Sequence, residues 1–449
     1  MEHYIFYCKL SLLAVLSLIT ACCMLSRRWY VNLVAFLACL SGETFLAHLF
    51  FPGYMLCPAA ASFIILFLSR IWDLSRTPAK GNGADPIRLP VRSGIRESRL
   101  EFYYHYSNFL VYGGAGSGKT KSIGKWLLSE YMRLGFAGFI YDFKDTDYTR
   151  TAYNLIKRHR YPHKFYYVSF DRPERSYRFN PLKVVRDRTE LIQLMEDVLL
   201  ALLPKKEQQN EWVAGGLGIL RGVAFRFWDE FPEHCTLPHI LAFIMTASAR
   251  QLSLFLQQNL VSEMLAGAYL KAEGSEKTQA SYLSTLCNNL VTISQNEEIA
   301  YVLSGDDFDF NLIDPENPKL FAVSNNFSKN SVYAPVISML MTISARQFSM
   351  QNRVPFVYFL DEMTTVNIKN FETLPSVLRE YKAAFILLTQ SGAKLENLYG
   401  KLDRSSVEAN FGNMFLGRTK DVEALKYYPL FFGKEEKLSL IHISEPTRH

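Results

Sequence analysis

Eight consecutive residues, Gly113, Gly114, Ala115, Gly116, Ser117, Gly118, Lys119 and Thr120, carry the densest chemistry in the chain. They match G-x-x-x-x-G-K-[ST] in full. That spacing lets backbone N–H groups turn inward around phosphate oxygens at a helix N-terminus, where the peptide dipoles favour negative charge. Lys119 can then reach the β- and γ-phosphates of a nucleotide, and Thr120 can offer a hydroxyl to Mg²⁺. A second group lies far along the chain. VPFVYFLDE (354–362) is an apolar strand-type run that delivers Asp361 and Glu362 at its C-terminal end. There Asp361 suits the Mg²⁺ shell and Glu362 the general base that polarises an attacking water; an edge strand ending in a solvated acidic turn is the plainer alternative. AAFILLTQS (383–391) is a third run of this kind. The amide of Gln390 at its end either senses a γ-phosphate or simply caps the strand. The chemistry these residues fit is ATP hydrolysis with Mg²⁺.

Such groups need a scaffold that brings distant strand ends together. FLVYG before the glycine-rich loop has strand character, and KSIGKWLLSEYMRLG after it has helical periodicity. Further strand candidates are FAGFIYDF (136–143), KFYYVSF (164–170), KLFAVSN (319–325) and NMFLGR (413–418). Their alternation with helical stretches predicts an α/β fold, a parallel sheet wrapped by helices with the nucleotide at the carboxyl ends of the strands. Residues 186–300 break the alternation: LIQLMEDVLLALL, WVAGGLGILRGVAFRFW, HILAFIMTA and SYLSTLCNNLVTI all have helix-type spacing. An all-α insertion at 186–300 therefore divides the nucleotide-binding domain into 101–185 and 301–437. Within it, His234, Cys235 and His239 match no standard zinc spacing.

Composition sets the outer limits. Of 449 residues, 49% are hydrophobic and 20% charged, which excludes a disordered chain. The net charge of +6 is too small to argue for nucleic acid by itself, so any DNA contact must come from a local patch or a ring of subunits. Five of the seven cysteines (Cys8, Cys22, Cys23, Cys39, Cys57) lie in the first 60 residues, so no disulfide framework is expected. That same region, 1–75, holds three apolar stretches, about 4–25, 30–51 and 54–72, each of membrane-spanning length. Arg27-Arg28 and Arg70, Arg76 and Lys80 favour the cytoplasmic side, which predicts three spans with the N-terminus outside. Glu43 is either an intramembrane carboxylate or the point where the chain leaves the hydrocarbon. Residues 76–100 read as a basic linker held by anionic lipid.

A membrane anchor followed by GGAGSGKT, FIYDFKD, RFNPL (178–182), a helical insert, NPKLFAVSN, FLDE and LREYKAAFILLTQS resembles the type IV coupling proteins, the TraG/TraD-type ATPases of conjugation and type IV secretion. The resemblance runs from Met1 to about Lys437. It implies a RecA-like P-loop NTPase with an inserted all-α domain and N-terminal transmembrane helices, a multi-pass protein of the inner membrane with its ATPase domain in the cytoplasm. It further implies a homo-hexamer that recruits DNA with a relaxase and feeds it to a type IV secretion channel. On this resemblance Arg379 occupies the place of a finger that reaches a neighbouring subunit's nucleotide, although Lys382 stands where the family usually has glycine. Asp142 and Lys144 match the family's D-x-K and act either behind the catalytic groups or as a strand-end pair. The last twelve residues, LSLIHISEPTRH (438–449), resemble a translated sequencing adapter. Two other readings fit the same motifs: a chromosome-partitioning DNA translocase, and a membrane docking scaffold whose nucleotide site only gates assembly. Glu362 speaks against the scaffold, which has no need of a second carboxylate.

Overall fold

The computed structural model describes residues 85–428, apart from 94, 95, 145, 204–206, 420 and 421, and before them only residues 9, 40–42, 44–46 and 48–50. The chain divides into two units, Met1–Ala84 and Asp85–His449. In the first unit the described residues are helical. The expected spans 4–25 (but for residue 9) and 54–72 and most of 30–51, Glu43 included, lie outside the described residues, as does 438–449. Among the described residues no helix is long and apolar enough to cross a membrane.

The second unit is built on a seven-stranded sheet whose strands are all parallel. Numbered after a separate hairpin (β1, Ile87–Ser93; β2, Arg96–Phe102), they are β3 (Phe109–Tyr112), β4 (Ala137–Asp142), β5 (Lys164–Ser169), β6 (Lys319–Ser324), β7 (Phe356–Asp361), β8 (Ala383–Thr389) and β9 (Asn413–Leu416). Each overlaps one of the seven apolar runs read from the sequence. In space they stand in the order β5-β6-β4-β7-β8-β3-β9. The central strands are buried residue after residue, because helices cover both faces of a parallel sheet. Alternation sorts their side chains into two cores. Val357, Phe359, Ile386 and Leu388 face α1 (Lys125–Arg133) and α2 (Asp147–His159), whereas Tyr358, Leu360, Phe385 and Leu387 face the other layer.

That other layer contains the insert. Between β5 and β6 the regular elements are all helical, from α3 (Arg188–Ala201) through α4 (Glu211–Glu230), α5 (Leu237–Thr246), α6 (Ala249–Gln257), α7 (Leu260–Leu265), α8 (Gly267–Lys271) and α9 (Glu276–Ser294) to α10 (Glu297–Leu303). Side-chain caps start many of them: Asp187, Asn210, Thr236, Asn259 and Asn296 each accept from an N–H in the first turn, and Ser248 with Gln251 forms a capping box. The RFNPL segment holds the insert to the sheet. Asn180 Nδ2 donates to Cys235 O (2.8 Å) while its Oδ1 accepts from Leu182 N (3.1 Å). Phe179 is fully buried between Phe308 and Phe310, and Arg178 pairs with Asp307 (3.2 Å). The remaining helices used below are α11 (Asn330–Arg346) and α12 (Leu374–Glu380).

Residues 87–93 and 96–100 of the expected linker instead lie in the antiparallel β1–β2 hairpin, which runs on to Phe102. Its pattern is period two: Ile87 and Leu89 are buried between outward positions. Pro90 is tolerated because a two-stranded ribbon has only edge strands. Glu130 and Arg133 of α1 clip it in place, Glu130 accepting from Arg88 N (2.8 Å) and Arg133 donating to Pro86 O (2.8 Å). Arg88 and Arg99, two of the arginines that suggested a solvated linker, fall at alternate positions to buried Ile87 and Leu89 and their partners Phe102 and Leu100.

Candidate active site

β3 ends at the glycine-rich loop. Gly113 N donates to Thr389 O (3.2 Å) and Gly114 N to Arg418 O (3.1 Å), so the loop starts between the ends of β8 and β9. A Cβ on Gly113 would collide with Ser117 Oγ, and Gly118 takes φ +87°, a left-handed backbone that favours glycine. Gly116 is left-handed as well, and Ala115 is exposed. From Lys119 the chain enters a π-helical turn, Lys119–Gly124, that runs on into α1. Such turns are rare and concentrate at functional sites. Thr120 is half-buried in this turn.

Two strands away, β7 ends at Asp361, and Glu362 follows with φ +46°. The lysine and the acidic pair converge. Lys119 Nζ lies 3.1 Å from Glu362 Oε1, with both side chains buried. β8 lies between β3 and β7, so Gln390 at its end reaches the same oxygen, with Nε2 donating to Glu362 Oε1 (3.3 Å). Lys144 Nζ approaches it at 3.8 Å. Burial pulls the Lys119 ammonium below the usual lysine range, opposed by the Glu362 carboxylate. Asp361 is fully buried, and neither of its carboxylate oxygens has a hydrogen-bond partner; Glu362 Oε2 is likewise unpartnered. Burial pushes the Asp361 carboxyl up to about 7, with Lys144 opposing and Glu362 reinforcing.

Asp142 and Lys144 separate in role. Asp142, at the end of β4, accepts from Thr149 N (2.8 Å) and Thr149 Oγ1 (2.9 Å), tying the first turn of α2 to the sheet. Burial raises its carboxyl above the ordinary range, against these hydrogen bonds. The Lys144 N–H also donates to Asp142 Oδ1 (3.3 Å), but its ammonium turns toward Glu362 instead. Arg379 is not brought to this group. It is exposed in the last turn of α12, before β8 begins, at the opposite end of the sheet; seven strand residues at ~3.3 Å each separate that end from Gln390. His239 Nδ1 pairs with Thr236 Oγ1 (2.7 Å), the cap of α5. Burial pushes the neighbouring Cys235 thiol up to about 12. Reading the sequence for motifs misses Tyr141, Asn325 and Thr365, which hold the Glu362 turn through hydrogen bonds described below. One signal marks Asn325: like Asp142, Asp361 and Gln390, it is a polar residue at the carboxyl end of a buried strand.

A parallel sheet with a glycine-rich loop at its carboxyl edge, and the loop lysine seated on a carboxylate from a strand end two strands away, defines a phosphate-loop α/β protein. The family is narrower. The model of the type IV secretion-system coupling protein DNA-binding domain matches residues 100–440, and the chain belongs to that coupling-protein family. Solved structures agree in fold. The bacterial conjugative coupling protein TrwBΔN70, in a trigonal form with sulfate, is similar with a TM-score of 0.56 at 16% identity over 78% of this chain and 76% of that one. TrwB in complex with ADP and Mg²⁺ gives 0.55 at 17% identity over 74% and 79%. TrwB with a non-hydrolysable ATP analogue gives 0.54 at 17% over 74% and 80%. No curated protein matches the chain.

Proposed function

We propose that this protein is a membrane-anchored, ATP-driven motor that couples DNA–relaxase substrates to a conjugative or type IV secretion channel. The observation that carries the proposal is the 3.1 Å contact between Lys119 and Glu362, with Asp361 buried beside it. The residues fit a magnesium–triphosphate. Asp361 offers two buried, unpartnered oxygens and Thr120 a hydroxyl, the hard donors that Mg²⁺ takes. The TrwB complexes with ADP and Mg²⁺ and with the ATP analogue support the same ligand here. Bound Mg²⁺ supplies charge neutralisation at the phosphate oxygens.

The chain's own groups do the rest. N–H groups later in the loop, among them those of Gly118, Lys119 and Thr120, cradle the phosphates, and Lys119 shifts from Glu362 to the β- and γ-phosphates. Glu362, relieved of that ammonium, takes a proton from the attacking water, which adds to the γ-phosphorus as ADP leaves. Gln390, one hydrogen bond from Glu362, registers whether a γ-phosphate is present. Arg379, remote from its own nucleotide, serves only a neighbour's site in a ring, and a homo-hexamer is the assembly proposed. The apolar stretches in 1–75 anchor the motor in the inner membrane with the ATPase in the cytoplasm.

The test is ATPase turnover of the detergent-solubilised full-length protein, with and without single-stranded DNA. Turnover is expected to rise with DNA and to vanish in Lys119→Ala. DNA-independent activity that survives this substitution would overturn the proposal.

A further inference from the structure

Glu362 sits in the left-handed backbone region, which strains a non-glycine residue. Its orientation depends on that conformation. Were the strand to continue straight past Asp361, the next side chain would alternate to the opposite face of the sheet. The left-handed turn folds it back over the carboxyl edge, onto Lys119. What holds the turn is a closed ring of hydrogen bonds. Glu362 O accepts twice from one residue, from Thr365 N (2.9 Å) and from Thr365 Oγ1 (2.7 Å). With its hydrogen so used, Thr365 Oγ1 can only accept from Tyr141 OH (2.6 Å). The Tyr141 oxygen in turn accepts from Asn325 Nδ2 (2.8 Å), which also donates to Asn330 Oδ1 (2.7 Å). Asn330 Nδ2 returns to Thr365 O (3.2 Å) and closes the ring.

Every hydroxyl and amide hydrogen named here has one direction, which is the condition for mutual strengthening in a buried network. Tyr141 and Asn325 are 2% and 3% exposed, so water does not compete. The ring draws on β4 (Tyr141), the end of β6 (Asn325) and the start of α11 (Asn330).

We infer that Thr365, Tyr141 and Asn325 are positioning residues, whose hydrogen-bonded ring fixes the left-handed Glu362 turn and so aims the carboxylate for hydrolysis. The inference rests on the ATPase reading above. A misaimed base costs rate and leaves nucleotide binding, which belongs to the glycine-rich loop, intact.

The experiment compares Thr365→Val, which keeps shape and loses the hydroxyl, with Thr365→Ser and Tyr141→Phe, all in the full-length solubilised protein. Turnover, KM for ATP, Kd for a non-hydrolysable ATP analogue and Tm are measured on each. Thr365→Val and Tyr141→Phe are expected to lower kcat about tenfold or more, with KM and Kd within about twofold of wild type. Thr365→Ser restores the rate, and Thr365→Val adds no further loss in a Glu362→Gln background. Wild-type kcat in both hydroxyl-less variants would overturn the inference. So would a loss of kcat matched by an equal loss of analogue affinity, or an undiminished effect of Thr365→Val without the Glu362 carboxylate. Absence of Lys119-dependent turnover in the wild type overturns the ATPase reading and this inference together, whereas normal turnover with indifferent variants overturns this inference alone.

Discussion

Asp361 carries a large desolvation cost. Its carboxylate is fully buried and finds no donor, so the folded chain without ligand favours the protonated form. A carboxyl raised from 3.8 to about 7 contributes stability that is full below the unfolded value and is lost as pH rises through the folded one. Asp361→Asn is therefore expected to raise the Tm of the nucleotide-free protein at pH 8, with a gain that shrinks toward pH 5 and an upper bound of about 4 kcal/mol. The same variant should lose turnover. Equal Tm values at both pH values would contradict the assignment of burial as the cause. Such a cost is what a binding residue carries when selection favours function over stability. The residue types here were legible in advance: a lysine after a glycine-rich loop and two carboxylates after an apolar run have few other uses. Legibility ended where spacing did. Nothing near Tyr141 or Thr365 in the sequence marks them as neighbours, because one lies inside a strand and the other three residues past a turn, more than 220 positions apart.

At the scale of elements, the seven strands were readable because each is buried on both faces and so appears as an unbroken apolar run. The hairpin was not, because its prolines, glycines and arginines gave 76–100 the composition of a linker. The turn before β8 shows a sequence signal acquiring its physical cause. Lys382, where the resemblance implied glycine, has φ +65°, and its carbonyl accepts from Phe356 N (3.0 Å) as β7 begins. Lys382→Gly relieves a left-handed lysine, and the expected gain is roughly 0.5–1 kcal/mol in denaturant unfolding. A loss of that size would mean that the lysine side chain makes a compensating contact. RFNPL likewise has a structural meaning that its letters did not disclose. Asn180 bridges its own turn and the carbonyl of Cys235, at the entry to α5. Asn180→Ala leaves that buried carbonyl unsatisfied and should cost about 1–3 kcal/mol, with faster hydrogen exchange in α5 than in β4. Uniform exchange through both would show that insert and sheet open as one unit.

Over the whole second unit, one sheet edge gathers what the chain scatters across nearly 280 residues, from Gly113 to Gln390. The insert stands on one face of that sheet and carries 14 acidic against 9 basic side chains over 186–300, so phosphate backbones are expected to track the sheet rather than the insert. All of this requires that the lysine and the acidic pair act on one nucleotide. The most direct measurement pairs equilibrium ATP binding with single-turnover hydrolysis on the same samples of wild type, Lys119→Ala and Glu362→Gln. Lys119→Ala should lose both binding and hydrolysis. Glu362→Gln should bind ATP as tightly as wild type or more so and hold it unhydrolysed, with the rate down by about a hundredfold or more. Hydrolysis by Glu362→Gln at the wild-type rate would contradict the account.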